Sequence, residues 1–250
     1  MNQTDAPDDT ELARRLADSA GRLLVDLRES RLFEGKALGK LGDQLANTFI
    51  VQALRAHRPA DGLLSEEEQD SAARLGARRV WIVDPLDGTR EYGEGRADWA
   101  VHVALAVDGA ATLGAVALPG LPLTLASGDA FARPRHGGRL RIVVSRTRPA
   151  AESVAVAAAL GAELLPMGSA GAKIMSVVRG EADIYLHSGG QREWDSCAPV
   201  AVAQAAGLHV SRLDGSALRY NQADTYMPDL LVCPPELAER VITLAGHRQA

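Results

Sequence analysis

The chain has 250 residues and a mass of 26.4 kDa, enough to bury one large core or two modest lobes without covalent staples. Its formal charge of −5 and pI near 5.7 leave no basic footprint for duplex nucleic acid, so an anionic partner has to be small and held by local donors. Cys197 and Cys233, far apart in apolar surroundings, predict reduced, buried side chains; no apolar run approaches the roughly 20 residues that cross a bilayer; and the polar start MNQTDAPDDTELARR lacks the pattern of a signal peptide, so a cytoplasmic location is expected.

The stretch TELARRLADSAGRLLVDLRES carries apolar residues at helical spacing and predicts a long amphipathic helix opening at Thr10. EGKALGKLGDQ reads as a polar, glycine-rich connection, followed by a second helix in LANTFIVQALRAHRP that Pro59 stops. LLSEEEQD predicts a short strand running into an acidic turn, VWIVDPLDGTREY a buried strand, and WAVHVALAVDGAATLGAVALP an antiparallel meander. The character changes at the basic connection FARPRHGGRLRIVVSRTRP. Beyond it, helices (AESVAVAAAL, SAGAKIMSVVRG, SCAPVAVAQAAG) alternate with short strands (RIVVS, AELLPMG, ADIYLH, LLVC). The expected organisation is an α+β lobe over residues 1–140 and an α/β lobe over 141–250.

The chemistry concentrates at the end of VWIVDPLDGTREY, where an apolar run empties into two aspartates. Asp84 and Asp87 flank Pro85 and Leu86, so the turn can direct both carboxylates to one side. Like charges this close repel unless a proton or cation lies between them. A calcium EF-hand loop is excluded, because counting from Asp84 the third position is Leu86 and the twelfth is Gly95. Enzymes with an aspartate nucleophile place their paired aspartates two apart rather than three, and no glycine-rich loop ends in Gly-Lys-Ser or Gly-Lys-Thr. A hard-metal site for phosphate-ester hydrolysis is the remaining reading. Magnesium takes oxygen ligands, and two ions about 3.5–4 Å apart can activate water and stabilise a leaving oxygen. Such a site draws acids from several segments, and Glu66 in SEEE and Asp195 in EWDSCAP are the candidates beside Asp84 and Asp87.

Serine-Glu-Glu, then WIVDPLDGTREY, then EWDSCAPVAVAQAAG, in that order, resembles the inositol monophosphatase superfamily of magnesium-dependent, lithium-sensitive phosphatases. Within it, DPLDGTREY and MGSAGAKIMSVVRGEADIYLHSGGQREWDSCAP look most like the CysQ-type 3′(2′),5′-bisphosphate nucleotidases. The resemblance implies a layered αβαβα sandwich and a homodimer. It implies that Glu66, Asp84 and the backbone carbonyl of Leu86 hold one magnesium, and that Asp84, Asp87 and Asp195 hold a second. A third ion is possible in such sites. Thr89 and Asp43 would orient the attacking water, with Glu66 contributing, while Gly88 and Thr89 would receive the phosphate on free amides. Ser145, Arg146, Gly168, Ser169 and Lys173 match regions where the nucleotidases hold the nucleotide, and Asp195, Asp87, Leu86 and Glu66 border the same substrate.

Two departures matter. The segment GKALGKLGDQ before Asp43 lacks the Ser-Pro-Val-Thr type sequence of the superfamily, which bears on Asp43 and on a third ion. Inositol monophosphatases carry Asp-x-Tyr-x-Glu before the last metal aspartate, whereas this chain reads Asp183-Ile184-Tyr185-Leu186-His187. The missing acid favours a nucleotidase acting on adenosine 3′,5′-bisphosphate, in the context of sulfate assimilation, over an inositol-1-phosphate or fructose-1,6-bisphosphate phosphatase. A non-catalytic protein that binds a phosphate ligand through metal is the alternative outside enzymes. His102, at an alternating strand position, reads as a packed or surface side chain; Trp81, Trp99 and Trp194 read as apolar walls around the acids.

Overall fold

In the computed structural model, which describes residues 7–132 and 138–246, two five-stranded sheets alternate with three layers of helix. Two long helices come first, α1 (Asp9–Glu29) and α2 (Gly35–His57). The first sheet follows: β1 (Gly62–Ser65), β2 (Arg79–Asp87), β3 (Ala100–Val107), β4 (Ala110–Leu118) and β5 (Leu123–Ala126), with a 3₁₀ turn at Ala72–Gly76 and a one-turn helix, α3 (Thr89–Gly93), directly after β2. The rest of the chain runs β6 (Arg141–Ser145), α4 (Ala151–Leu160), β7 (Glu163–Met167), α5 (Ala170–Val178), β8 (Ile184–Arg192), α6 (Glu193–Ala205), β9 (His209–Ser211), β10 (Tyr226–Cys233) and α7 (Pro235–Leu244). Part of the basic connection noted in the sequence, residues 133–137, lies outside the described residues.

The first sheet has the order β1-β2-β3-β4-β5, parallel only between β1 and β2. The second has the order β7-β6-β8-β10-β9, parallel in its first three strands. Strand alternation sorts the core. On β3, Val101, Val103 and Leu105 face α1 and α2, joining Leu12, Leu16, Leu24 and Ile50 in one cluster. Ala100, Ala104 and Ala106 face the other way, onto α5 and α6, in a cluster that also takes Val143, Tyr185 and Val232 from the second sheet. A third cluster, with Ile142, Val156, Leu231 and Val241, packs α4 and α7 on the far side. The layers are therefore αβαβα, as the resemblance implied, and the fully buried aliphatic side chains each contribute about 1.5–3 kcal/mol.

One local expectation fails. The glycine-rich stretch before Asp43 is not a connection but the first part of α2, which begins at Gly35 rather than near Leu45. Gly39 there permits close approach instead of a turn: a Cβ on it would stand 2.8 Å from the Thr89 methyl carbon. The consequence is functional, because Asp43 sits on a rigid helix whose inner face lies against the end of β2. The first helix begins a residue earlier than read, capped by the Asp8 side chain, which accepts from the Glu11 amide at 2.8 Å.

Candidate metal and phosphate site

The second strand is buried from Val80 to Asp87, so its two aspartates enter the protein with the core. A bulge between Asp84 and Asp87 breaks the pairing with β3 at Pro85, which has no amide to donate. Asp84 folds back to accept from the Leu86 amide at 3.1 Å, Leu86 points into the apolar cluster beneath, and Asp87 emerges at the strand end. Gly88, at φ 90°, then turns the chain into α3. Tyr92 fixes that helix from below, its hydroxyl donating to the Leu24 carbonyl at 2.7 Å and its ring meeting Trp99 edge-on at 4.9 Å.

Three acids meet at this point. Asp84, Asp87 and Asp195 each present a carboxylate oxygen within 4.8 Å of the others. Asp195 arrives from the first turn of α6, where its Oδ2 accepts from the Arg192 amide at 2.6 Å. Glu66 joins from the turn after β1, its carboxylate against Asp84. Its neighbour Glu68 is turned elsewhere, accepting from Asn47 Nδ2 and from Arg55, each at 2.8 Å.

The electrostatics follow from crowding like charges out of water. Burial, then Glu66, Asp87, Asp195 and Asp43, raise the Asp84 carboxyl well above its ordinary range. Although the Glu66 residue as a whole is exposed, its carboxylate end faces the other acids, and desolvation there with the charges of Asp195, Asp43 and Asp87 pushes it up to about 8. Burial and Asp87 raise Asp195 to about 6. Burial also acts to raise Asp87, but it is outweighed by His102, Ser169 and Lys173, and this carboxyl is lowered to about 2. Asp87 has the donors to match: Ser169 Oγ at 2.5 Å and the Ala170 and Gly171 amides at 3.1 and 2.6 Å, at the start of α5. An all-oxygen set of crowded carboxylates, two buried (Asp84 and Asp87), one half-buried (Asp195) and one more exposed (Glu66), of which all but Asp87 hold protons against their ordinary preference, fits a hard divalent cation, which would replace those protons.

Beside the acids, Asp43 projects from α2, 7% exposed, with Oδ1 buried and unpartnered. Burial and Glu67 raise it to about 7, with Thr89 as the hydrogen-bonding neighbour that acts in the opposite sense. The Thr89 hydroxyl donates to the Leu86 carbonyl at 3.1 Å and so stands between that carbonyl and Asp43.

A cleft of about 1140 Å³ opens from this point, its walls including Asp87, Thr89, Arg146, Lys173, His187 and Asp195. The residues matched to nucleotide contacts all border it, but each already has a protein partner. Ser145 Oγ accepts from the Arg148 amide at 3.2 Å, and Arg146 donates to Glu91 and Glu94, each at 2.9 Å. The Gly168 amide donates to Asp98 at 2.6 Å. Ser169 binds Asp87 and caps α5 by accepting from the Ala172 amide. Lys173 is 5% exposed and donates to the Ser169 carbonyl at 2.6 Å; its proton affinity is lowered by burial despite the nearby acids. Two groups near the acids were not singled out from the sequence as partners of the site: His102, whose Nε2 is 3.3 Å from Asp87, and Asn47, which accepts from Ser65 at 2.7 Å beneath Glu66. For His102 the available signal was a polar residue in a row of alternating alanines.

Carboxylates from three chain segments, gathered at a strand end and two helix starts beside an open cleft, define a metal-dependent hydrolase of the layered αβαβα type. The chain belongs to the inositol monophosphatase family, whose model matches residues 13–250. It is 49% identical over 245 residues to a 3′-phosphoadenosine 5′-phosphate phosphatase of Mycobacterium leprae, covering 92% of this chain and 90% of that one. It is 30% identical over 197 residues to the 3′(2′),5′-bisphosphate nucleotidase CysQ of Escherichia coli, covering 74% and 80%. The crystal structure of CysQ from Bacteroides thetaiotaomicron superposes with a TM-score of 0.79 at 24% identity, over 93% of this chain and 99% of that one. Inositol monophosphatase II of Staphylococcus aureus superposes at 0.82 and 20% identity, over 96% of each chain. No helix among the described residues is long and apolar enough to cross a membrane.

Proposed function

We propose that this chain is a phosphomonoesterase that removes the 3′-phosphate of adenosine 3′,5′-bisphosphate, releasing AMP and phosphate, with Mg²⁺ as its ion at two or three positions per site. The observation that carries this reading is the convergence of Asp84, Asp87 and Asp195, with Glu66 beside them, at the edge of a cleft that Asp87 and Asp195 line. The names of the relatives that cover most of the chain supply the substrate. Glu66, Asp84, Asp87, Asp195 and the Leu86 carbonyl would hold the cation, which when bound makes water more acidic and counters the charge of the phosphate.

The protein's own groups do the rest. Asp43, titrating near neutral pH, accepts the Thr89 hydroxyl proton, which turns to it from the Leu86 carbonyl as Thr89 Oγ takes a proton from the attacking water, and no covalent intermediate forms. Gly88 and Thr89 place the first amides of α3 at the phosphate. Lys173 and Arg146 add positive charge along the cleft wall, where the second phosphate of the substrate would lie. Clearing this bisphosphate as a by-product of sulfate assimilation is the role we assign.

The test is phosphate release from adenosine 3′,5′-bisphosphate, inositol-1-phosphate and fructose-1,6-bisphosphate, with Mg²⁺ and with EDTA. The bisphosphate nucleotide should have the highest kcat/KM, and Li⁺ should inhibit at saturating Mg²⁺. A higher value on either sugar or inositol ester would overturn the substrate; no Mg²⁺-dependent release from any of the three would overturn the enzymatic reading.

A further inference from the structure

Along β3 the residues facing α5 and α6 are Ala100, His102, Ala104 and Ala106, so a wholly buried imidazole interrupts a row of alanines. Desolvating a polar ring there costs free energy unless its nitrogens are used. Nδ1 is used, donating to the Trp194 carbonyl 3.0 Å away. Nε2 lies 3.3 Å from Asp87 Oδ2; with Nδ1–H committed to Trp194, this contact is ionic and attractive in the ring that carries a proton on both nitrogens, though off-line for a hydrogen bond, and Nε2 has no hydrogen-bond partner among the described residues.

The space around this nitrogen is shaped for the contact. A Cβ on Gly171 would stand 2.0 Å from Nε2, so only hydrogen at 171 lets the ring reach the carboxylate. The Gly171 amide itself donates to the same Asp87 Oδ2 at 2.6 Å, and Ser169 Oγ donates there at 2.5 Å. Three groups therefore close on Oδ2, while among the described residues Oδ1 accepts a hydrogen bond from the Ala170 amide alone, at 3.1 Å. The carbonyl that braces the ring belongs to Trp194, the residue before Asp195.

We infer that His102 is a positioning residue for the cation site: braced on Trp194, it holds the inner oxygen of Asp87 and thereby fixes Asp87 and Asp195 relative to each other. It needs to touch neither substrate nor ion. The inference rests on the metal reading proposed above. Loss of a group that orients a ligand weakens metal binding by about 10- to 100-fold in sites of this kind.

Two substitutions separate the two ring contacts. Asn at 102 places its amide near the position of Nδ1 and can keep the Trp194 contact, whereas Gln extends to the position of Nε2 and can contact Asp87 through its amide N–H. Mg²⁺ is titrated calorimetrically into metal-stripped wild type, His102→Asn, His102→Gln and Gly171→Ala, and each Tm is measured with and without Mg²⁺. His102→Asn and Gly171→Ala should bind Mg²⁺ about 10- to 100-fold more weakly, with His102→Gln closer to wild type. A role confined to packing would lower the metal-free Tm and leave the Mg²⁺ dissociation constant where it was. Wild-type affinity in folded His102→Asn overturns the inference. Should that variant not fold, unchanged affinity in Gly171→Ala overturns it equally. Failure of the wild type to bind Mg²⁺ would overturn the metal reading itself, which is a distinct result.

Discussion

Replacing Asp43 with Asn separates what the site costs the fold from what it does for the reaction. The Asp43 carboxyl is raised from 3.8 to about 7 by burial and by Glu67, against the effect of Thr89. Between those pH values the folded chain holds a proton that the unfolded chain has released, so the contribution to stability is fully present below 3.8 and is lost as pH rises through 7. At about 1.4 kcal/mol per tenfold change in proton affinity, the rise corresponds to about 4 kcal/mol. Relaxation and water entry around a buried charge leave on the order of half, roughly 2 kcal/mol. Asn has no charge to desolvate at any pH. With roughly 2–4 °C per kcal/mol for a chain of this size, the variant should gain about 4–8 °C in Tm relative to wild type between pH 4 and pH 8. The measurement is scanning calorimetry of both proteins across that range in EDTA, so that no cation offsets the charge. In the presence of Mg²⁺ the same variant should lose about 10²-fold or more in kcat, as a missing general base does. Parallel stability curves for variant and wild type would refute the assignment of a raised, buried carboxyl to Asp43.

Two further substitutions test other parts of the structure. Arg74 is 3% exposed and ties the 3₁₀ turn after Glu66 to the far half of the chain, donating to Asp70, to Asn221 Oδ1 and to the Gln222 carbonyl; Arg74→Ala should cost on the order of 3 kcal/mol, read as a Tm loss of roughly 6–12 °C. His187 is held down to about 4 by burial and by the positive charges of Lys173 and Arg148, against its hydrogen bond to Gly189 and the charge of Glu152, so the folded chain binds fewer protons there than the unfolded chain between about 4 and 6.5. Its contribution is present above 6.5 and is lost as pH falls toward 4, and urea titrations should show His187→Gln losing less stability than wild type over that interval.

Much of the layered fold was legible because the pattern and the packing agree. The apolar alternation of WAVHVALAV became a strand between two helical layers, and the helical period of TELARRLADSAGRLL became α1. The misread segment, EGKALGKLGDQ, shows what a local reading lacks. Glycine signals a turn when only its own backbone is considered, but Gly39 lies in a helix because Thr89, fifty residues later, needs the space. β9 and β5 were missed for a related reason: short segments carry too little periodicity, and the sheets they edge supply the pairing. The metal acids were legible as types in a spacing. Which of them would stay charged was not, since that depends on neighbours such as His102, Ser169 and Lys173, which come from strands and helices remote in sequence.

Those donors order the site. Asp87 has three close donors at the start of α5 and the His102 ring, and its carboxyl is lowered to about 2. Asp195 has one backbone donor, from Arg192, and is raised to about 6. Asp43 accepts from no backbone amide among the described residues and is raised to about 7; Glu66, beside Asp84, is raised to about 8. Asp84 accepts from one amide but is wholly buried among all the others, and it too is raised. Loss of solvent raises every member of the set, so the neighbouring donors and positive charges, His102, Ser169 and Lys173 at Asp87, decide which carboxyl is a permanent anion. The fold thus keeps one fixed negative charge, Asp87, and surrounds it with acids that share protons near neutral pH. A cation arriving at these oxygens displaces those protons, so the acids that make the metal-free fold costly are the ones whose ionisation the cation would recover.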